Sequence, residues 1–147
     1  MKRFLKIAVL VGAVVFIAIQ LVPYGRAHDN PPVTEPVEWS NARTEKLFDD
    51  ACADCHSNST EWPWYSNVAP QSWFVQRDVD AGRDELNLSE MDREQKELKD
   101  IAEVVTENEM PPLRYTFLHP DARLSEAEKQ VLIEGFTQTF GEEIDRD

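Results

Sequence analysis

Cys52-Ala53-Asp54-Cys55-His56 is a C-x-x-C-H pentapeptide, and it contains both cysteines of this 147-residue chain. Two thiols at that spacing can add to the two vinyl groups of one haem, and the histidine that follows then stands under the iron as its proximal ligand. The pentapeptide therefore predicts one haem c held covalently through two thioethers, with Cys52, Cys55 and His56 as cofactor-binding residues and His56 on the metal. A structural zinc site would need a second pair of Cys or His at matching spacing, and only the isolated His28 and His119 remain. A thioredoxin-like redox pair would need a βαβ surround, and nothing here alternates like strands.

Working outward from the pentapeptide, the helix signals come in order. Ser40 can cap a helix over 41–52 that delivers the cysteines, with Leu47, Phe48 and Ala51 on one face. Pro70 suits the first turn of a second helix over 71–81, with Gly82 as its stop. Ser89 precedes a charged third helix in which Met91, Leu98, Ile101, Ala102 and Val105 form a single stripe. Leu124-Ser125-Glu-Ala-Glu128 is a capping box opening a last helix, where Leu132, Phe136 and Phe140 recur every four residues before Gly141. The expected fold is all-α: a small cytochrome c-like helical domain around one covalent haem.

Upstream, the basic stretch Met1-Lys-Arg-Phe-Leu-Lys6 leads into an uncharged run, Ile7 to Val22. From Phe4 to Val22 it approaches the roughly 20 residues a bilayer-crossing helix needs. A cleaved signal peptide would want small residues in an A-x-A-like arrangement after the run, and Pro23-Tyr24-Gly25-Arg26-Ala27-His28 offers none. Residues 1–26 are accordingly expected to be an N-terminal membrane anchor or signal segment, 27–38 a proline-rich extended linker, and 39–147 a haem-binding domain. Lys2, Arg3 and Lys6 would stay in the cytoplasm, placing the rest on the periplasmic or outer face. Taking those three basic residues from the net charge of −13 leaves −16 for the exported part. That charge disfavours nucleic acid and anionic lipid surfaces as partners and permits a basic redox protein.

The stretches His28-Asp-Asn-Pro-Pro32, Ala51-Cys-Ala-Asp-Cys-His-Ser-Asn-Ser-Thr-Glu-Trp-Pro-Trp-Tyr-Ser66, Ala69-Pro-Gln-Ser-Trp73, Asp78-Val-Asp-Ala-Gly-Arg83, Leu86-Asn-Leu-Ser89 and Glu109-Met-Pro-Pro112 together resemble the bacterial haem-binding domain family of membrane-anchored, single-haem c-type proteins. The resemblance covers most of the exported part. It implies a haem-binding domain at the outer face of the cytoplasmic membrane and leaves open what its electrons are for.

A low-spin electron carrier needs a sixth iron ligand, and a methionine sulfur opposite histidine raises the potential relative to two nitrogens. Met110 is the candidate, because Pro111-Pro112 biases it towards an extended conformation in a rigid segment between two helices. His119, also followed by proline, is the rival ligand. Trp62, Trp64, Tyr65 and Trp73 are expected to wall the porphyrin, and Arg77 or Arg83 to bond its propionates. The function that follows is a membrane-tethered electron carrier rather than an enzyme. A haem-based redox or gas sensor would need a displaceable sixth ligand. A haem peroxidase would need a distal acid-base pair, and no clear His-Arg pair offers one.

Overall fold

The structure is a computed structural model that describes residues 1–144, so the last three residues of the expected 39–147 domain lie outside it. The described residues form seven α-helices, α1 Lys2–Ile19, α2 Ala42–Ala51, α3 Ala53–His56, α4 Gln71–Glu85, α5 Ile101–Thr106, α6 Leu113–Leu118 and α7 Glu126–Ile144, with two short 3₁₀ turns and no strand. The all-helical class is as expected.

The core forms where α2 and α5 pack on α7. Leu47 and Phe48 of α2 meet Leu132, Phe136 and Phe140 of α7, and Ile101 and Val105 of α5 complete the cluster with Leu86 and Leu88. Each such side chain, buried from water, contributes about 1.5–3 kcal/mol. Trp39, not singled out in the sequence, closes the far end of this core, with its ring 5.1 Å from Phe48 and 6.0 Å from Phe140.

Four helix boundaries differ from expectation. Asn41, not Ser40, caps α2, because its side-chain oxygen accepts from the Arg43 and Thr44 amides. The capping box of α7 forms as read, with Ser125 N donating to Glu128 at 2.8 Å and Glu128 N to Ser125 Oγ at 3.3 Å, but the helix runs through Gly141 to Ile144. α4 likewise runs through Gly82 to Glu85. The expected third helix is helical only from Ile101. Between 90 and 100 the polar groups that a helix would pair locally have distant partners. Met91 N donates to Glu35 O, Glu97 N to Glu85 O, and the Gln95 side chain links Asn87 N to Glu90 O. Met91 and Leu98 still pack on the core, so the stripe located burial correctly without marking a helix.

The expected transmembrane helix over Phe4–Val22 is not found as such. Among the described residues no helix is long and apolar enough to cross a membrane. α1 has 18 residues and includes Lys2, Arg3 and Lys6, and it gives way to a turn at Gln20-Leu21. Its residues are exposed through Ala18. The segment after it forms no helix and is strapped to the body along its length. Asn58 Nδ2 donates to Pro32 O, the Thr34 and Glu35 amides to Ser89 O, and Val37 N to Leu88 O. Arg83 gathers the start of the strap, donating to Asp29 O, Asn30 Oδ1, Ser57 O and Thr60 Oγ1 at 2.9–3.0 Å.

Two close helix approaches depend on glycine. On Gly135 of α7 a Cβ would stand 1.9 Å from Oγ1 and 2.7 Å from Cβ of the fully buried Thr44 on α2. Alanine would favour the helix by up to about 1 kcal/mol in propensity. The overpacking cost of about 1–3 kcal/mol should outweigh it, so Gly135→Ala is expected to lower the denaturation midpoint, and adding Thr44→Ala should recover part of the loss.

Candidate functional site

α2 delivers the pentapeptide. Cys52 is at once the C-cap of α2 and the N-cap of α3, and Cys55 lies three residues on, on the same side of the turn. α4 lies against this short helix so closely that a Cβ on Gly82 would stand 2.5 Å from the Cys55 carbonyl oxygen. Gly82 is therefore a contact glycine inside a helix, not the stop it was read as. The end of α4 then reaches the histidine. His56 Nδ1 lies 2.9 Å from Leu86 O, while the His56 carbonyl accepts from Leu88 N. A carbonyl can only accept, so Nδ1 carries the proton and Nε2 keeps its lone pair. Burial lowers the pKa of His56, which favours the neutral ring against the opposing pull of the Leu86 and Gly82 carbonyls.

Met110 arrives from the other side. α5 ends in a tight turn in which Asn108 adopts a left-handed conformation (φ 62°), and the amides of Glu109 and Met110 both donate to Val104 O. Lys129 of α7 holds the Asn108 side chain. Pro112 then caps α6, which the sequence did not reveal.

Between these elements lies a cavity of 360 Å³, within the range of cofactor pockets (about 300–1,000 Å³). Cys52, Cys55, His56 and Met110 all line it. Phe48, Leu86, Ile101, Val105 and Phe136 form its apolar wall, and Asp78, Glu85, Glu97, Glu109 and Arg114 also border it. The donor set fits a haem: one imidazole nitrogen with its lone pair available, one thioether, and two thiols free of any disulfide. Burial raises both thiols to about 12, so they are protonated and unreactive as thiolates at neutral pH.

Other expected residues lie elsewhere. The tryptophans do not line this cavity: Trp62 stacks on His28 with rings 4.7 Å apart, and Trp64 is 79% exposed. The aromatic residues that do reach it are Phe48, Phe136 and Tyr115 of α6, whose hydroxyl donates to Asp54 of the pentapeptide at 2.8 Å, with burial raising its pKa. Arg83 is occupied by the strap and Arg77 is not at the cavity; Arg114 is, held in a fork by Asp78 at 2.9 and 3.0 Å. His119 has both ring nitrogens engaged, Nδ1 with Tyr115 O at 3.0 Å and Nε2 with the Tyr65 hydroxyl at 3.2 Å. Tyr115 was findable, since a residue shortly after a candidate ligand and two prolines belongs to the ligand's own loop. Nothing in the sequence pairs Tyr115 with Asp54.

Helices converging on one cavity that offers a histidine, a thioether and a thiol pair define a small all-helical domain built to hold a metal-centred cofactor. The sequence pattern of the haem-binding domain family matches residues 14–138, and the chain belongs to that family. No curated protein and no solved structure matches it.

The thiols give a pH signature. In the unfolded chain they ionise near the ordinary 9.0, and in the folded haem-free chain near 12. Between those values the folded chain holds protons that the unfolded chain has shed. Their contribution to stability is thus full below pH 9 and lost as pH rises through 12. The haem-free chain should lose denaturation midpoint over that window relative to a Cys52→Ala/Cys55→Ala variant measured in parallel.

Proposed function

We propose that the protein is a membrane-tethered c-type electron carrier whose haem domain faces the periplasm or cell exterior. The observation that supports this best is the convergence of Cys52, Cys55, His56 and Met110 on one cavity. In this reading Cys52 and Cys55 would hold one haem c through thioethers, and His56 Nε2 and Met110 would ligate its iron. Bound there, the haem supplies reversible one-electron chemistry.

The chain's own groups set the conditions. Leu86 O fixes the His56 ring and, by accepting from Nδ1, raises the basicity of Nε2. The apolar wall excludes water from the iron's surroundings, and the Asn108 turn sets the reach of the Met110 loop. The carboxylates of Glu85, Glu97 and Glu109 bordering the cavity, on a chain of net charge −13, would steer a basic redox partner to the haem edge.

The tethering rests on α1. Its uncharged part is apolar on every side and unburied, a surface that a protein body or lipid must cover. Its 18 residues rise about 27 Å, close to a hydrocarbon core of roughly 30 Å, and Lys2, Arg3 and Lys6 can extend their side chains to the interface.

Haem should stay on the polypeptide through acid-acetone extraction, and an extract carrying all of it away would rule out the thioethers. With Met110 as sixth ligand, the oxidised protein should show the weak sulfur-to-iron charge-transfer band in the far red. Met110→Ala should abolish it, lower the reduction potential and open the iron to carbon monoxide, while His119→Ala leaves all three nearly unchanged. Rapid carbon monoxide binding by the unmutated protein would instead favour a gas sensor.

A further inference from the structure

α1 does not swing free of the body. Where it ends, the Gln20 side chain pairs with both backbone groups of Ala69, donating to its carbonyl at 2.9 Å and accepting from its amide at 3.0 Å. Arg26 Nη2 donates to the same Gln20 oxygen at 2.9 Å. Gly25, with φ 78°, passes so close to the start of α4 that a Cβ would stand 2.3 Å from Ser72 O. His28 Nε2 then donates to the carbonyl and hydroxyl of Ser66, at 3.1 and 2.9 Å.

All these tie points lie between residues 64 and 74. That stretch is a 3₁₀ turn over Trp64–Asn67 leading into the first turn of α4, closed by Ser66 N on Pro63 O, Val68 N on Tyr65 O and Trp73 N on Pro70 O. It also exposes large apolar side chains that a water-facing turn would not select: Trp64 at 79%, Phe74 at 53% and Val68 at 36%. Three buried donors at the joint, Arg26 Nε, Ser72 Oγ and Trp73 Nε1, have no acceptor among the described residues.

We propose that this face, centred on Trp64, Val68 and Phe74, seats the haem domain in the headgroup layer of a bilayer, so that the domain is held in one orientation rather than hung on a flexible tether. The occupant follows from α1. A helix apolar on every side and uncovered by the body is matched by lipid, and the joint puts this face at the level where the helix leaves it. Tryptophan and tyrosine concentrate at that level, where an apolar ring meets the wet headgroup region, and Trp64 is exposed there. The acidic character of the rest of the chain would be kept on the water side.

The inference rests on the anchoring of α1, and the test separates the two. The full haem-loaded chain is reconstituted in phosphatidylethanolamine–phosphatidylglycerol vesicles doped with a phospholipid carrying a diazirine near its glycerol, irradiated, digested and mapped by mass spectrometry. Adducts are expected on α1 and at Trp64 and Phe74, with none on α7. Trp64→Ser/Phe74→Ser, which alters only exposed side chains, should keep the α1 adducts and lose those on the 64–74 turn. Adducts on α1 alone would overturn the seating and leave the anchor standing. A chain that stays in the supernatant without adducts would overturn both.

Discussion

The hydrogen bond from His56 Nδ1 to Leu86 O organises this molecule. It runs from the single turn of α3 to the residue where α4 ends, and both of its ends belong to tightly fixed backbone: Leu86 N is itself bonded to Gly82 O, and the His56 carbonyl takes Leu88 N. A ring clamped in this way has one tautomer and one direction, and its remaining nitrogen points its lone pair away from the clamp. The cavity wall, the thiols and the methionine loop matter for haem because that nitrogen is presented in a constant place. Removing the acceptor would leave a buried N–H unpaired, a cost of about 1–3 kcal/mol, and would free the ring to turn.

Backbone contact does as much here as side-chain packing. α3 is too short to hold itself, since a single turn gains little from its own hydrogen bonds. It keeps its shape because α4 lies against it at Gly82, and α4 is steady because Arg83, the next residue, is bonded to the loop after the pentapeptide and to the strap in front of it. Neighbouring residues on one helix thus do opposite jobs: Gly82 lets the cysteine-bearing turn approach, and Arg83 ties down what surrounds it.

The sequence made the cofactor and the helical class legible for a simple reason. The C-x-x-C-H spacing and the apolar repeats of α2 and α7 are local patterns, and local geometry decides them. Met110 was legible for the same reason, as a methionine held non-helical by two prolines, and the structure brings it to the cavity with His56. What escaped depended on partners far along the chain. Gly82 reads as a stop unless the backbone it touches is known. The stripe from Met91 to Val105 has helical spacing, yet Glu35, Glu85 and Asn87 take up the polar groups that a helix would need, and only its last turn and a half coils. Trp62, Trp64 and Trp73 looked like porphyrin walls because aromatic residues near a haem motif usually serve that end. Here they gather at the joint with the N-terminal segment, and phenylalanines from α2 and α7 wall the cavity.

The strap has a consequence in time. Its residues are synthesised well before those it is bonded to: Asn58 is 26 residues beyond Pro32, Arg83 is 54 beyond Asp29, and Asp92 is 58 beyond Thr34. Each of those closures costs loop entropy that is recovered only when the middle of the chain has been made and folded. The strap is therefore among the last segments to settle, and it settles over the loop that follows the pentapeptide. Until then the two cysteines sit in an open, unstrapped stretch of chain. The same fasteners that make the finished domain rigid also set the order in which it can be completed.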